Sequence, residues 1–178
     1  MNVIDGDQFA VPIPKQGIAP NEWRGKCLDL YSRAERTVSK TLEVAREVGL
    51  TSSIDHLAGN RLGELEAAIG RGAVPSKLKR GLNNAIAEWK EVEQNRFYLA
   101  HGIMRVSLDR ERQWVLLIDA RVYRSNEGTD YRWPLLEKEA LDFMDRLQAA
   151  FENLSSRLGN LREHLTGAQQ QAVAQRDQ

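Results

Sequence analysis

Along most of this chain apolar residues recur at steps of three and four, and along one stretch they recur at steps of two. The two periods divide the chain into helices and strands. Residues 1–20 hold Pro12, Pro14 and Pro20 with Gly6 and Gly17 and keep no period, which predicts an extended arm. Asn21 is a good N-cap, with Glu22 in the turn that follows. From there Trp23, Cys27, Leu30, Tyr31, Ala34, Val38, Leu42 and Ala45 form one stripe that stops toward Gly49. A second helix is expected over 53–69, with Ile54, Leu57, Leu62, Leu65 and Ile69 inward and Gly70-Arg71-Gly72 ending it. A third opens at Pro75-Ser76. It carries Leu82, Ala85, Ile86, Trp89, Val92 and Leu99 on one face up to His101 or Gly102.

The period then changes. Trp114, Leu116, Ile118, Ala120 and Val122 alternate with Val115, Leu117, Asp119, Arg121 and Tyr123, a strand pattern rich in β-branched and aromatic residues. Met104, Val106 and Leu108 alternate ahead of it, Asp109-Arg110-Glu111-Arg112 suits a hairpin turn, and a third strand is expected around 129–133. Pro134 fits the first turn of a final helix with the stripe Leu141, Met144, Leu147, Phe151, Leu154, Leu158, Leu161 and Leu165. From Leu147 the steps alternate four and three, a coiled-coil-like spacing that predicts pairing of the far end with another chain. The Gln- and Ala-rich stretch after Gly167 is expected to fray.

The predicted fold is mainly α. It is a helical bundle of four main helices, with an antiparallel β-hairpin or meander over about 103–133 inserted before the last long helix. One domain covers 21–165, after the arm at 1–20 and before a disordered tail at 166–178. Trp23, Leu30, Ile86, Trp89, Leu147 and Phe151 sit mid-stripe and should be core.

Composition narrows the functional classes. At 178 residues with 42% hydrophobic content, the chain can bury one real core. Its 25 basic and 25 acidic residues balance, so no global field steers it to nucleic acid or to an anionic membrane, although a local basic site stays compatible. A single cysteine, Cys27, excludes an intramolecular disulfide and fits a reducing cytoplasm. No run is long and apolar enough to cross a bilayer, and the first residues lack the basic-then-apolar order of a signal peptide, so no membrane partner is expected.

Candidate chemistry concentrates at Glu93-Gln94-Asn95-Arg96-Phe97-Tyr98-Leu99-Ala100-His101-Gly102. Arg96 falls near the centre of the third helix's apolar stripe, where a permanent charge is costly unless it is paired or faces a cleft. Histidine, the side chain suited to proton transfer near neutrality, follows at the helix end. A five-residue step on a regular helix rotates about 140° and rises about 7.5 Å. The pair therefore meets only if the helix end unwinds beside Gly102 or a second copy brings its own pair alongside. The plainer alternative makes Arg96 an ion-pair partner of Glu93 and His101 a cap on the last carbonyls. Elsewhere Cys27 reads as core, and His56 and His164 as solvated. Arg112, Arg121, Arg124 and Arg132 read as solubilising charge or a basic face. No metal-ligand spacing or phosphate loop is present in the sequence, so neither a metal nor another cofactor is expected.

Arg96 and His101, with Leu-Ala-His-Gly closing the segment, then a strand-forming insertion and a final long helix, resemble the HEPN (higher eukaryote and prokaryote nucleotide-binding) superfamily. That family's motif is an arginine, usually a polar residue, three further positions and a histidine. Here the position after the arginine is Phe97, where the family usually has Asn, Asp or His, and Asn95 lies on the other side. The resemblance implies a homodimer formed through the motif-bearing helices. It also implies metal-independent cleavage of RNA, with Arg96 and His101 as catalytic residues and Asn95 and Glu93 in support. Many such proteins are toxins or defence factors with an antitoxin partner. Others are non-catalytic interaction modules, or work beside a nucleotidyltransferase.

Overall fold

The structure, a computed structural model, describes residues 17–72, 74–124 and 127–176; the predicted arm lies outside the described residues up to residue 16. The chain is mainly helical with a small three-stranded antiparallel sheet. The elements are α1 (Pro20–Glu47), α2 (Ala58–Arg71), α3 (Ser76–Glu93), α4 (Arg96–His101), β1 (Ile103–Leu108), β2 (Trp114–Arg124), β3 (Glu127–Leu136) and α5 (Glu137–Arg176). It divides into two compact units. One unit holds the chain up to Leu28 together with Asn95–Asp145, and the other holds Asp29–Gln94 together with the chain from Arg146 on.

In the helical unit most of the predicted stripes are buried, but Ile54 and Leu57, read as inward on the second helix, lie ahead of its first turn, half-buried and 53% exposed respectively. Leu30, Ala34, Val38 and Leu42 of α1, Leu62, Leu65 and Ile69 of α2, and Leu82, Ile86 and Trp89 of α3 are all inside. Gly49 ends α1 as predicted, in a left-handed conformation with φ 77°. Its N–H donates to Arg46 O at 3.0 Å and Leu50 N–H donates to Ala45 O at 2.8 Å, the two bonds of a Schellman cap. The second helix begins at Ala58, five residues later than its periodicity suggests. Asp55 explains the delay: its carboxylate accepts the N–H of Leu57 at 2.7 Å and the side-chain amide of Asn60 at 2.9 Å, a local bond that competes with helix. Arg61 then holds the carbonyls of Asp55 and His56 at 2.8 and 3.0 Å.

The final helix departs most from expectation. Leu147, Leu154, Leu158, Leu161 and Leu165, the stripe expected to pair with another chain, are buried within the chain itself. At its start Ala140 and Phe143 are inside, while Leu141 and Met144 are only half-buried. The helix continues past Gly167 to Arg176, where fraying was expected. It starts at Glu137 and not at Pro134, which lies in β3 opposite Leu117. An edge strand tolerates a residue that has no N–H to donate. Glu139 turns the chain into the helix by accepting Leu136 N–H at 2.9 Å, half of a capping box.

The sheet has the order β1-β2-β3. Met104 pairs with Ile118 and Ile118 with Trp133, so alternate residues share faces: Trp114, Leu116, Ile118 and Ala120 are buried, and Val115, Leu117 and Asp119 are half-buried. The β1–β2 turn follows prediction. Asp109 accepts the N–H groups of Glu111 and Gln113 at 2.9 and 2.8 Å, and Arg112 takes a left-handed φ of 64°.

Candidate functional site

The segment that carries Arg96 and His101 is a helix of its own. The third predicted helix breaks at Gln94–Asn95, and α4 begins at Arg96. In a continuous helix the Val92 carbonyl would accept the N–H of Arg96, four residues on. Here the Tyr31 hydroxyl donates to Val92 O at 2.7 Å and engages that carbonyl. The backbone restarts from Asn95, whose carbonyl accepts the N–H groups of Tyr98 and Leu99 at 3.2 and 3.4 Å. Asn95 stands at the N-cap without a side-chain capping bond, and Glu93 is the last residue of α3, on the other side of the break.

Arg96 and His101 therefore occupy the first and last positions of a six-residue helix. Helical geometry sets them about 7.5 Å apart along the axis and about 140° apart around it. Arg96 is half-buried and His101 exposed. One copy does not bring the two side chains onto a common face.

The C-terminal end of α4 is tightly fixed. Gly102 N–H donates to Tyr98 O at 2.8 Å, and the Arg24 guanidinium donates to Leu99 O at 2.7 Å and to Gly102 O at 3.1 Å. A cation that caps helix carbonyls in this way also complements the helix dipole. The capping role that sequence reasoning offered to His101 thus falls to Arg24, and His101 is left to project outward. Glycine at position 102 is required by space. Its φ of −76° suits any residue, but a Cβ there would overlap Tyr98 O and come within 2.5 Å of Ile118 Cγ2. The backbone of α4 is thereby pressed against β2.

Arg24 was not legible as a site residue. It lies beside Trp23 on α1 and carries no periodic or motif signal; only the folded contact, 75 residues away in sequence, gives it a role. Trp23 acts similarly, its indole N–H donating to Ala140 O at 2.8 Å.

Phe97 takes part in a continuous run of aromatic contacts. Its ring lies 3.9 Å from that of Tyr98 and meets Tyr131 edge-on at 5.9 Å; Tyr98 then meets Trp133 at 5.5 Å, and Trp133 meets Phe143 at 5.0 Å. The run extends from the buried core to β3, where Tyr131 is 38% exposed.

The other candidates resolve plainly. On the outer sheet face Asp119 is shared by Arg105 and Arg132, and Arg121 faces Asp130 at 3.6 Å, so Arg121 and Arg132 of the candidate basic face are paired across strands, while the Arg124 side chain lies outside the described residues. Cys27 is buried and its thiol is pushed up to about 12 by desolvation, which marks a core thiol and not a nucleophile. His56 is exposed beside Asp55, and His164 is half-buried. Among the described residues no group of three or more His, Cys, Asp or Glu side chains is placed to hold a metal ion, and no helix is long and apolar enough to cross a membrane. Comparison of the chain with protein-family models, curated proteins and solved structures finds no match.

Proposed function

We propose that the chain is an HEPN-like helical-bundle protein that cleaves RNA without a metal, at a site completed by a second copy. The observation that carries this reading is the presentation of His101. Arg24 and Gly102 satisfy and fix the end of α4, so the imidazole is exposed on a rigid mount and is not spent as a cap. Because one copy separates Arg96 from His101, a homodimer is part of the proposal: the arginine of one copy works beside the histidine of the other.

RNA supplies its own nucleophile. In the proposed reaction the 2′-oxygen bonds to the adjacent phosphorus while the bond from phosphorus to the 5′-oxygen breaks. One imidazole takes the 2′-hydroxyl proton and an imidazolium returns a proton to the leaving oxygen. Arg96 offsets the charge that builds on the phosphoryl oxygens, which its planar fork matches. The products are a 2′,3′-cyclic phosphate and a 5′-hydroxyl. A toxin or defence role in the cytoplasm, restrained by an antitoxin-type partner, accompanies this reading.

A second reading is favoured by one observation. Phe97, where a polar residue is usual in such motifs, is packed against Tyr98 and Tyr131, as suits a non-catalytic dimeric interaction module with Arg96 as a structural ion-pair partner. Incubating the purified protein with mixed RNA in chelator separates the two. The nuclease cleaves, His101→Ala loses on the order of 10²–10⁴-fold, and Arg96→Lys fails although the charge is kept. Wild-type protein that leaves RNA intact, with a lowered Tm for Arg96→Met, identifies the interaction module.

A further inference from the structure

We infer that the segment 1–16 docks on the outer face of the sheet and covers an apolar patch there, whatever chemistry α4 performs. The patch follows from the register. Ser107, Val115 and Leu136 stand side by side, then Arg105, Leu117 and Pro134, then Ile103, Asp119 and Arg132. Residues directly opposite share a face, and this one turns away from the buried side that holds Trp114, Leu116 and Ile118. A water-facing side of a sheet is ordinarily polar. Here Ile103 is 73% and Leu136 52% exposed, Pro134 is exposed, and Val115 and Leu117 on the central strand are half-buried.

The described chain begins beside this patch. A Cβ on Gly17 would stand 3.1 Å from Glu137 Oε1, and Glu137 follows Leu136 directly. The other oxygen of the same carboxylate accepts Trp114 N–H at 3.1 Å, next to Val115. The segment before Gly17 is thus tethered at the end row of the patch. Its sixteen residues can reach about 50 Å when extended, whereas the patch runs about 13 Å along the strands from Val115 to Asp119. The sequence of the segment suits the surface. Phe9, Val11 and Ile13 stand at alternate positions, so an extended backbone presents them together, and Pro12 and Pro14 favour that backbone. Asp5 and Asp7 complement Arg105 and Arg132, two guanidiniums that share the single carboxylate of Asp119. Tethering raises the local concentration of the segment into the millimolar range, which favours it over a free partner or a second copy.

The test uses the full chain under native conditions. Lys15 is the one basic side chain of the segment, so a lysine-specific protease reads how often the segment is released. Wild type should be cut slowly after Lys15. Phe9→Ser should speed the cut about tenfold or more, as expected for one apolar side chain returned to water, and the paired change Leu117→Ser with Leu136→Ser should do the same. All three together should fall well short of the product of the two effects, because both remove one contact. Phe9→Ser alters no residue of the sheet, so its effect stands even if the sheet variant folds poorly. A photoreactive benzoylphenylalanine at position 9 should crosslink to peptides of β2 or β3 within its own chain, as read from a mixture of isotopically light and heavy protein. Cleavage after Lys15 that ignores Phe9→Ser, or crosslinks confined to other surfaces, would overturn the inference. Crosslinks between light and heavy copies would also overturn it and place a second copy on the face.

Discussion

In the helical unit, buried aliphatic side chains fall at regular three- and four-residue steps along each helix. Its main interior polar bonds tie one helix to another, as where Arg162 donates to the buried Thr41 hydroxyl at 2.8 Å. In the sheet-bearing unit the interior is aromatic, with Trp23 within 6.2–6.4 Å of Trp114, Trp133 and Phe143, and single side chains hold particular backbone atoms: Trp23 on Ala140 O, Arg24 on Leu99 O, Glu137 on Trp114 N–H. The first kind of order comes from many interchangeable contacts. The second comes from a few that have no substitute, and it is there that a reactive residue can be aimed.

The difference can be broken from either side. The largest effect is expected at Leu158→Glu, which strands a carboxylate in a fully buried position and should cost more than about 4 kcal/mol, with loss of cooperative unfolding. If the residue instead served a partner, light scattering would show dissociation while Tm stayed level. Next comes Gly102→Ala, expected to cost about 1–3 kcal/mol because the obstructing atoms include backbone. Its counterpart in the helical unit, Gly63→Ala, meets no heavy atom within 4 Å and should raise stability by up to about 1 kcal/mol in the same denaturation assay.

Arg24→Met removes two charged hydrogen bonds from the end of α4 and should cost about 2 kcal/mol. Amide exchange should rise at α4 and β1 and stay level in α3. The smallest effect is a pH dependence. The Asn60 side chain first, and then the Leu57 N–H, hold the Asp55 carboxyl below its ordinary range. A lowered folded value means that the gain is fully present above the ordinary carboxylate range and is lost as pH falls through the folded value. The Tm gap between wild type and Asp55→Asn should therefore close in acid and stay constant near neutrality.

This contrast also explains what the sequence revealed. The stripes of the long helices and the alternation of β2 follow from repeating periods, so the burial of Trp23, Leu30, Ile86, Trp89, Leu147 and Phe151 is legible in the sequence. Burial of the Leu147–Leu165 stripe inside one chain was not legible, because spacing gives the seam but not what covers it. The break before Arg96 was also hidden: the bond that engages Val92 O just ahead of it comes from the Tyr31 hydroxyl, 61 residues from Val92 in sequence. Arg96 and His101 stood out by type and spacing, whereas Arg24 gained its role only from a contact between distant segments.

The most direct measurement of the central claim is cleavage of an end-labelled RNA in chelator, with a single 2′-deoxy substitution placed at the preferred cut. The account predicts that wild type cuts the all-ribose strand to leave a 2′,3′-cyclic phosphate and a 5′-hydroxyl. It also predicts that the 2′-deoxy position is spared, and that His101→Ala cuts neither strand. Cutting at the 2′-deoxy position, or wild-type products ending in a 5′-phosphate, would contradict it.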